Sequence, residues 1–325
     1  MIGNILILLV MIGLAVLFGW LTYRAVRARK LRAKIAGGLG AGLLTLIFAA
    51  MVFMGGKGIA VTYFPDVPPA PEITIAGTPE QVARGEYLVS LSCVGCHGAA
   101  DANGNPTGNM PLTGGWNIAE AEGFGFMGSM VTENLTPGGK LAGYSEGELF
   151  RVLRHSINQE GEKLGFMDFL PYKELSDADT EAIIAYLRSV EAAETTVETG
   201  DKMNFIGAVL TGAGILPPQA LGAETVTAPP EGLTADYGKY VATYGECRGC
   251  HGPDMSGVAE SALGPAIPNS RPLVSTLSQE QFVAMMRSGV KPDGQLFPET
   301  MPWQNASKMT DDDLAALYTY LTTAP

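Results

Sequence analysis

All four cysteines of this 325-residue chain lie in two copies of one pentapeptide, CVGCH at 93–97 and CRGCH at 247–251, which also hold two of its three histidines. Each copy sits at the same place in a longer repeat. GEYLVSLSCVGCHG (85–98) matches GKYVATYGECRGCHG (238–252) with one residue inserted. YSEGELFRVLRHSINQEG (144–161) matches LSQEQFVAMMRSGVKPDG (277–294) without a gap, and LSDADTEAIIAYLRS (175–189) matches MTDDDLAALYTYLTT (309–323). The chain must therefore form two copies of one small domain, each built around its own Cys-x-x-Cys-His.

Within each copy the pattern is helical. Ser145 with Glu148, and Ser278 with Gln281, are capping boxes that start a middle helix. Ser176 with Asp179, and Thr310 with Asp313, start the last helix with acidic residues where its dipole favours them. Apolar residues then recur at helical spacing, as in Ile183, Ile184 and Leu187 and in Leu314, Leu317 and Leu321. No comparable strand pattern appears, so the expected class is all-α.

Two sulfurs three residues apart lie on one face of a helical turn, a spacing suited to thioether bonds with the two vinyl groups of one haem. The adjoining histidine then lies under the iron. A tetrahedral zinc site would draw all four cysteines together, whereas here each pair has its own histidine in its own repeat. A redox dithiol belongs with alternating strands and helices. Two covalently attached haem c groups are the expected cofactors.

From about Gly77 to the end the sequence resembles the class I c-type cytochromes, twice over. The resemblance implies a helix before each CxxCH, a methionine arriving late from a loop on the opposite face of the haem, and a C-terminal helix packed across the first. It implies proximal ligation by His97, with thioethers from Cys93 and Cys96, and by His251, with Cys247 and Cys250. In ETMPWQNASKMTDDD, Met301 precedes Pro302 and Trp303 nine residues ahead of the Thr310 cap, similar to the family's MPW or MPY ligand loop. The first domain departs from that pattern. In GFMDFLPYKELSDAD, Met167 stands nine residues before Ser176, but Asp168 replaces the proline and Pro171 follows three residues later. Met167 is still the expected sixth ligand, because the distance to the following helix governs ligand placement. Met110, in NMPLTGG, has the missing Met-Pro pair and is its competitor; Met127 and Met130 are read as packing residues.

Histidine with methionine favours ferrous iron and raises the reduction potential relative to two nitrogen ligands. With both axial positions filled, no coordination site remains for a substrate, which points to electron transfer with no catalytic residue. His155 is read as a polar residue of the middle helix. Arg154 and Arg287 share one repeat position, where pairing with a haem propionate and plain exposure both fit. Trp303 is read as packing on the haem.

The first sixty residues are of another kind. Ile5–Tyr23 and Ile35–Met54 are each about as long as the roughly 20 apolar residues that cross a bilayer as a helix. Between them lie Arg24, Arg27, Arg29, Lys30, Arg32 and Lys34, a basic connection of the kind retained on the cytoplasmic side, so both chain ends are expected outside. Gly38 and Gly42 form a GxxxG in the second span, suited to seating a neighbouring helix. Before Pro65 there are seven basic residues and no acidic ones; after it, 14 Lys and Arg face 33 Asp and Glu. An acidic outer portion argues against nucleic acid and favours a basic soluble electron carrier.

The expected organisation is a transmembrane hairpin at 1–62, a stiff proline-rich spacer at 63–76, a first cytochrome domain at 77–192, a linker at 193–232 and a second domain at 233–325. The linker contains an apolar stretch, 203–218, too short to span a membrane and read as an interfacial or interdomain helix. His97 to Met167 is 70 residues, against 50 from His251 to Met301, so the first domain carries a long glycine-rich insert. Within it, ENLTPGGKLAGYS resembles a segment of the haem subunits of periplasmic alcohol and gluconate dehydrogenases. The functional expectation is a dihaem cytochrome c on the outer side of a bacterial cytoplasmic membrane. There it would pass single electrons within a respiratory or photosynthetic complex, towards an oxidase or soluble carrier. The rivals are a dihaem peroxidase and the electron-accepting subunit of a periplasmic dehydrogenase.

Overall fold

The computed structural model describes every residue except Ala102, Ala262, Leu263, Glu299, Ala324 and Pro325. Helices α1 (Ile2–Val26) and α2 (Leu31–Tyr63) form an antiparallel hairpin, and both are long and apolar enough to cross a membrane. Phe18 stacks on Phe48 with ring centroids 5.4 Å apart, and the Thr22 and Thr45 hydroxyls meet at 3.3 Å. Gly42 faces Thr22 and Gly38 faces Val26, so the GxxxG seats the hairpin's own first helix. At 33 residues, α2 runs well past the expected span end at Met54. At a rise of about 1.5 Å per residue it is roughly 50 Å long, against ~30 Å of hydrocarbon, so its last turns extend beyond the apolar layer.

The first domain comprises α3 (Pro79–Leu91), α4 (Val94–His97), α5 (Ile118–Ala121), β1 (Gly128–Val131), α6 (Glu146–His155) and α7 (Asp177–Ser189). The linker contributes β2 (Gly200–Met203) and α8 (Phe205–Gly212). The second domain comprises α9 (Ala235–Tyr244), α10 (Cys247–His251), α11 (Arg271–Val274), α12 (Gln279–Ser288), α13 (Trp303–Ala306) and α14 (Asp311–Thr322). The expected caps are made: Ser145, Ser176, Ser278 and Thr310 each accept a hydrogen bond from the backbone N–H three residues on.

The two domains are built alike because α3 crosses α7 as α9 crosses α14. The crossing is close enough to need glycine. A Cβ on Gly85 would overlap the Ala182 carbonyl, and one on Gly238 the Ala316 carbonyl. Leu88, Val241, Ile183, Leu314 and Leu317 are buried around these crossings in one continuous core shared by both domains.

Three features differ from the sequence reading. The all-helical class holds except for a short antiparallel pair, β1 with β2, in register Gly128↔Met203 to Val131↔Gly200. It joins the insert to the linker; four-residue strands with partly buried sides leave no alternation to detect. The 63–76 segment is not a free spacer: Ile73 and Ile75 pack with Leu149, Phe150 and Ile184, and the Ile75 N–H donates to the Glu146 carboxylate at 2.6 Å. Finally, the helix expected as interfacial or interdomain, α8, lies between α2 and Met127 of the first domain. It docks on the last turns of α2, with Phe205 against Gly55, Ala208 against Gly58 and Gly212 against the Met54 carbonyl.

Candidate functional site

Each CxxCH closes a helical turn at the end of its first long helix. In the first domain His97 N–H donates to the Cys93 carbonyl at 2.8 Å, and its ring Nδ1 meets the Glu133 carbonyl at 2.8 Å. In the second, His251 Nδ1 meets the Pro268 carbonyl at 3.0 Å. A backbone carbonyl that accepts from Nδ1–H fixes the tautomer, leaving Nε2 with its lone pair for iron. Burial lowers the His97 pKa, which keeps its imidazole in the neutral, ligating form.

The cysteines are unpaired. Burial pushes the thiols of Cys93, Cys96 and Cys247 up to about 12 and raises Cys250 as well. A redox dithiol works through a thiol of lowered pKa, the opposite of the direction here. Among the described residues no three His, Cys, Asp or Glu side chains converge as a metal site. Two thiols on one turn, beside a histidine with its outer nitrogen engaged, fit covalent haem c.

Met167 lies on the short turn Phe166–Phe169 and Met301 immediately before α13. Both are partly buried against the core cluster that contains Cys93. Met110 is 44% exposed and lines a surface cavity with Val94, Tyr186 and Lys308. Met127 is buried near Gly207, at the α8 contact, and the Met130 sulfur lies by Gly165, in agreement with packing roles.

Arg154 and Arg287 hold corresponding partners in the two repeats. Arg154 is buried, donating to the Lys173 carbonyl at 2.9 Å and to Asp177 at 2.7 Å. Arg287 binds the equivalent Ser307 carbonyl and donates to Asp311 at 2.6 Å. Each arginine ties its middle helix to the start of the last one. His155 is buried at the end of α6, its pKa lowered by burial and by Arg154, Lys163 and Arg151.

The two CxxCH-bearing domains meet in a reciprocal interface. Tyr87 of α3 donates to Asp313 at 2.5 Å and accepts from the Thr310 N–H at 3.0 Å. Its repeat partner Tyr240 donates to Asp179 at 2.7 Å and accepts from the Ser176 N–H at 2.8 Å. Each tyrosine thus caps the last helix of the other domain. Burial, reinforced by these carboxylates, raises both phenol pKa values, so both remain donors. The same exchange places Gly95, inside the first CxxCH, next to Asn305 of the Met301 loop, and Gly249, inside the second, next to Leu170 and Pro171 of the Met167 loop.

One part of the interface has no twin. Glu246, the residue inserted before the second CxxCH, adopts the left-handed conformation (φ 59°) and hydrogen-bonds the Tyr172 hydroxyl. Burial pushes its carboxyl up to about 8. Beside it, Arg248 pairs with Glu174 at 2.5 Å.

Sequence reasoning missed Glu133 and Pro268, because backbone carbonyls carry no side-chain signature. One signal was present: the histidine-to-carbonyl separations are 36 and 17 residues, so nearly all of the first domain's excess length lies between His97 and Glu133.

Two family comparisons agree with this geometry. Residues 82–191 match the family described as cytochrome c, and residues 234–321 match the family described as cytochrome c oxidase, cbb3-type, subunit III. No curated protein matches the chain.

Proposed function

Because the chain is a class I c-type cytochrome carrying two such domains behind two apolar helices, we propose that it is a membrane-anchored dihaem relay passing single electrons between a donor and an acceptor within a larger complex. The haem, when bound, supplies the one-electron iron couple. The chain's own residues attach it, orient its ligands, exclude water and fix the distance between the two centres. In this reading Cys93, Cys96, Cys247 and Cys250 form the thioethers. His97 and Met167 would hold the iron of the first haem, and His251 and Met301 that of the second.

The observation that carries the proposal is the reciprocal interface. Each CxxCH turn packs on the ligand loop of the other domain, which suits a fixed two-centre wire better than two carriers swinging on a linker. Three contacts further hold the first domain and its linker to the hairpin: α8 on α2, Asn4 Nδ2 donating to the Met203 carbonyl at 2.8 Å, and Lys163 N–H donating to the Thr62 carbonyl at 2.8 Å. A simple tether needs none of these, and they favour a subunit with a set orientation on the outer membrane face. The likeness of the second domain to an oxidase subunit supports a terminal oxidase, or the soluble carrier that feeds one, as acceptor. The acidic balance beyond Pro65 supports a basic carrier.

The test is to purify the full chain from native membranes in mild detergent, measure covalent haem by mass and identify what travels with it. Two porphyrins and co-purifying oxidase or other respiratory subunits are expected. A chain carrying fewer than two porphyrins, or rapid peroxide turnover by the isolated protein, would overturn the relay.

A further inference from the structure

The two ligand loops differ at the residue after methionine: Pro302 follows Met301, whereas Asp168 follows Met167. Proline holds its own φ near −65° and stiffens the loop; aspartate does not. Asp168 is 3% exposed, and its Oδ1 lies 2.7 Å from Lys163 Nζ. Its Oδ2 accepts from the Gln219 N–H at 2.7 Å. Lys163 Nζ also donates to the His155 carbonyl at 3.0 Å and the Gln219 carbonyl at 3.3 Å. The lysine's own N–H is the one bound to Thr62, at the end of α2. Ser156, in the left-handed cap of α6, donates from Oγ to the Met167 carbonyl at 3.3 Å.

One buried ion pair therefore draws together the end of the membrane helix, the end of α6 and the linker at residue 219, all beside Met167. Among the described residues the second domain has no such ion pair beside Met301. Lys163 bridges Ile157 as Leu296 bridges Val290, and Leu296 is 72% exposed. The pair Lys163 and Asp168 thus stands where the other domain has Leu296 and Pro302.

We propose that Asp168, clamped by Lys163, is a positioning residue that holds the Met167 sulfur at the first haem iron, doing by a buried ion pair what proline does in the second domain. This rests on the reading that Met167 is the sixth ligand. The clamp works because a buried carboxylate with a lysine and a backbone N–H as partners has one favourable place to sit. The backbone on its N-terminal side is then held with it.

The test uses the full-length, haem-loaded protein in detergent. Its readouts are the far-red charge-transfer band that a methionine sulfur gives to ferric haem and the two potentials from a redox titration. Asp168→Asn should remove about half of the band, the share of one haem in two, and lower one potential while leaving the other and the haem content unchanged. The double change Lys163→Leu with Asp168→Pro, which transplants the second domain's pair, should restore both readouts. It also remains informative if Asp168→Asn fails to fold. Met167→Leu separates the two claims. If Met167→Leu halves the band and Asp168→Asn leaves the band and both potentials as in the parent, the clamp is refuted and the ligand stands. If Met167→Leu leaves the band intact, the ligand reading itself is wrong.

Discussion

Replacing Tyr240 by phenylalanine isolates one half of the reciprocal interface. The ring stays in place against Tyr244, at a centroid distance of 5.5 Å, so packing is preserved and only the hydroxyl is lost. Three contacts go with it: those to the Asp179 carboxylate at 2.7 Å and the Ser176 hydroxyl at 3.0 Å, and the acceptor for the buried Ser176 N–H at 2.8 Å. A hydrogen bond to a charged group contributes about 1.5–3 kcal/mol, and a buried donor without a partner costs about 1–3 kcal/mol. The two are not additive. Asp179 also keeps its two bonds from Arg84, at 2.8 and 2.9 Å, so no carboxylate is left bare. A loss of roughly 2–3 kcal/mol follows, which lowers the melting temperature of a unit of this size by about 4–10 °C. Tyr87→Phe removes a carboxylate contact and the acceptor of an exposed cap N–H, leaving Asp313 its bond from Tyr237 at 3.1 Å, and should also lower stability, by about 1–3 kcal/mol. Tyr318→Phe is the control, because its hydroxyl donates to a neutral carbonyl, Leu277, inside the second domain. The measurement is thermal unfolding of the full-length protein in detergent, followed by circular dichroism and by the haem band. If either interface variant melts no lower than the control, the reciprocal capping does not hold the domains together.

Two further outcomes follow from the structure. Glu246 is raised from 4.5 to about 8 on folding, so between those values the folded chain keeps a proton that the unfolded chain has released. Stability must then fall as pH rises through that window, by at most about 1.4 kcal/mol per pH unit, and Glu246→Gln should flatten the decline. Urea midpoints at the two ends of the window check this, and parallel slopes for parent and variant would sink it. Gly58→Leu should push α8 off α2, because a side chain there overlaps the Ala208 carbonyl. The linker after α8 should become open to limited proteolysis while the haem spectrum stays unchanged; parental resistance would show that the contact is not tight.

Much of the architecture could be read without coordinates because it rests on short-range chemistry. The serine and threonine caps act three residues away, and the apolar stripes of α7 and α14 repeat every turn. Length and composition alone are enough to mark the hairpin. The ligand loops were legible only in part. The spacing from Met167 to its helix cap was visible, but the reason aspartate serves in place of proline lies at Lys163 and Gln219, neither of which carries a motif. The arginine pair shows the same limit: their shared repeat position was evident, whereas their partners, the starts of α7 and α14, were not.

The amino-acid order alone determined that two helical units would each present two sulfurs and an imidazole on one turn behind an apolar hairpin, because every one of those features is written in consecutive or nearly consecutive residues. Only the folded chain decided which carbonyls orient the histidines and how the halves face each other. Tyr87 and Asp313, which join the halves, stand 226 residues apart. Such contacts form when packed helices bring distant polar groups out of water together, and each must then find a partner. That requirement acts in space, and no spacing along the chain announces it.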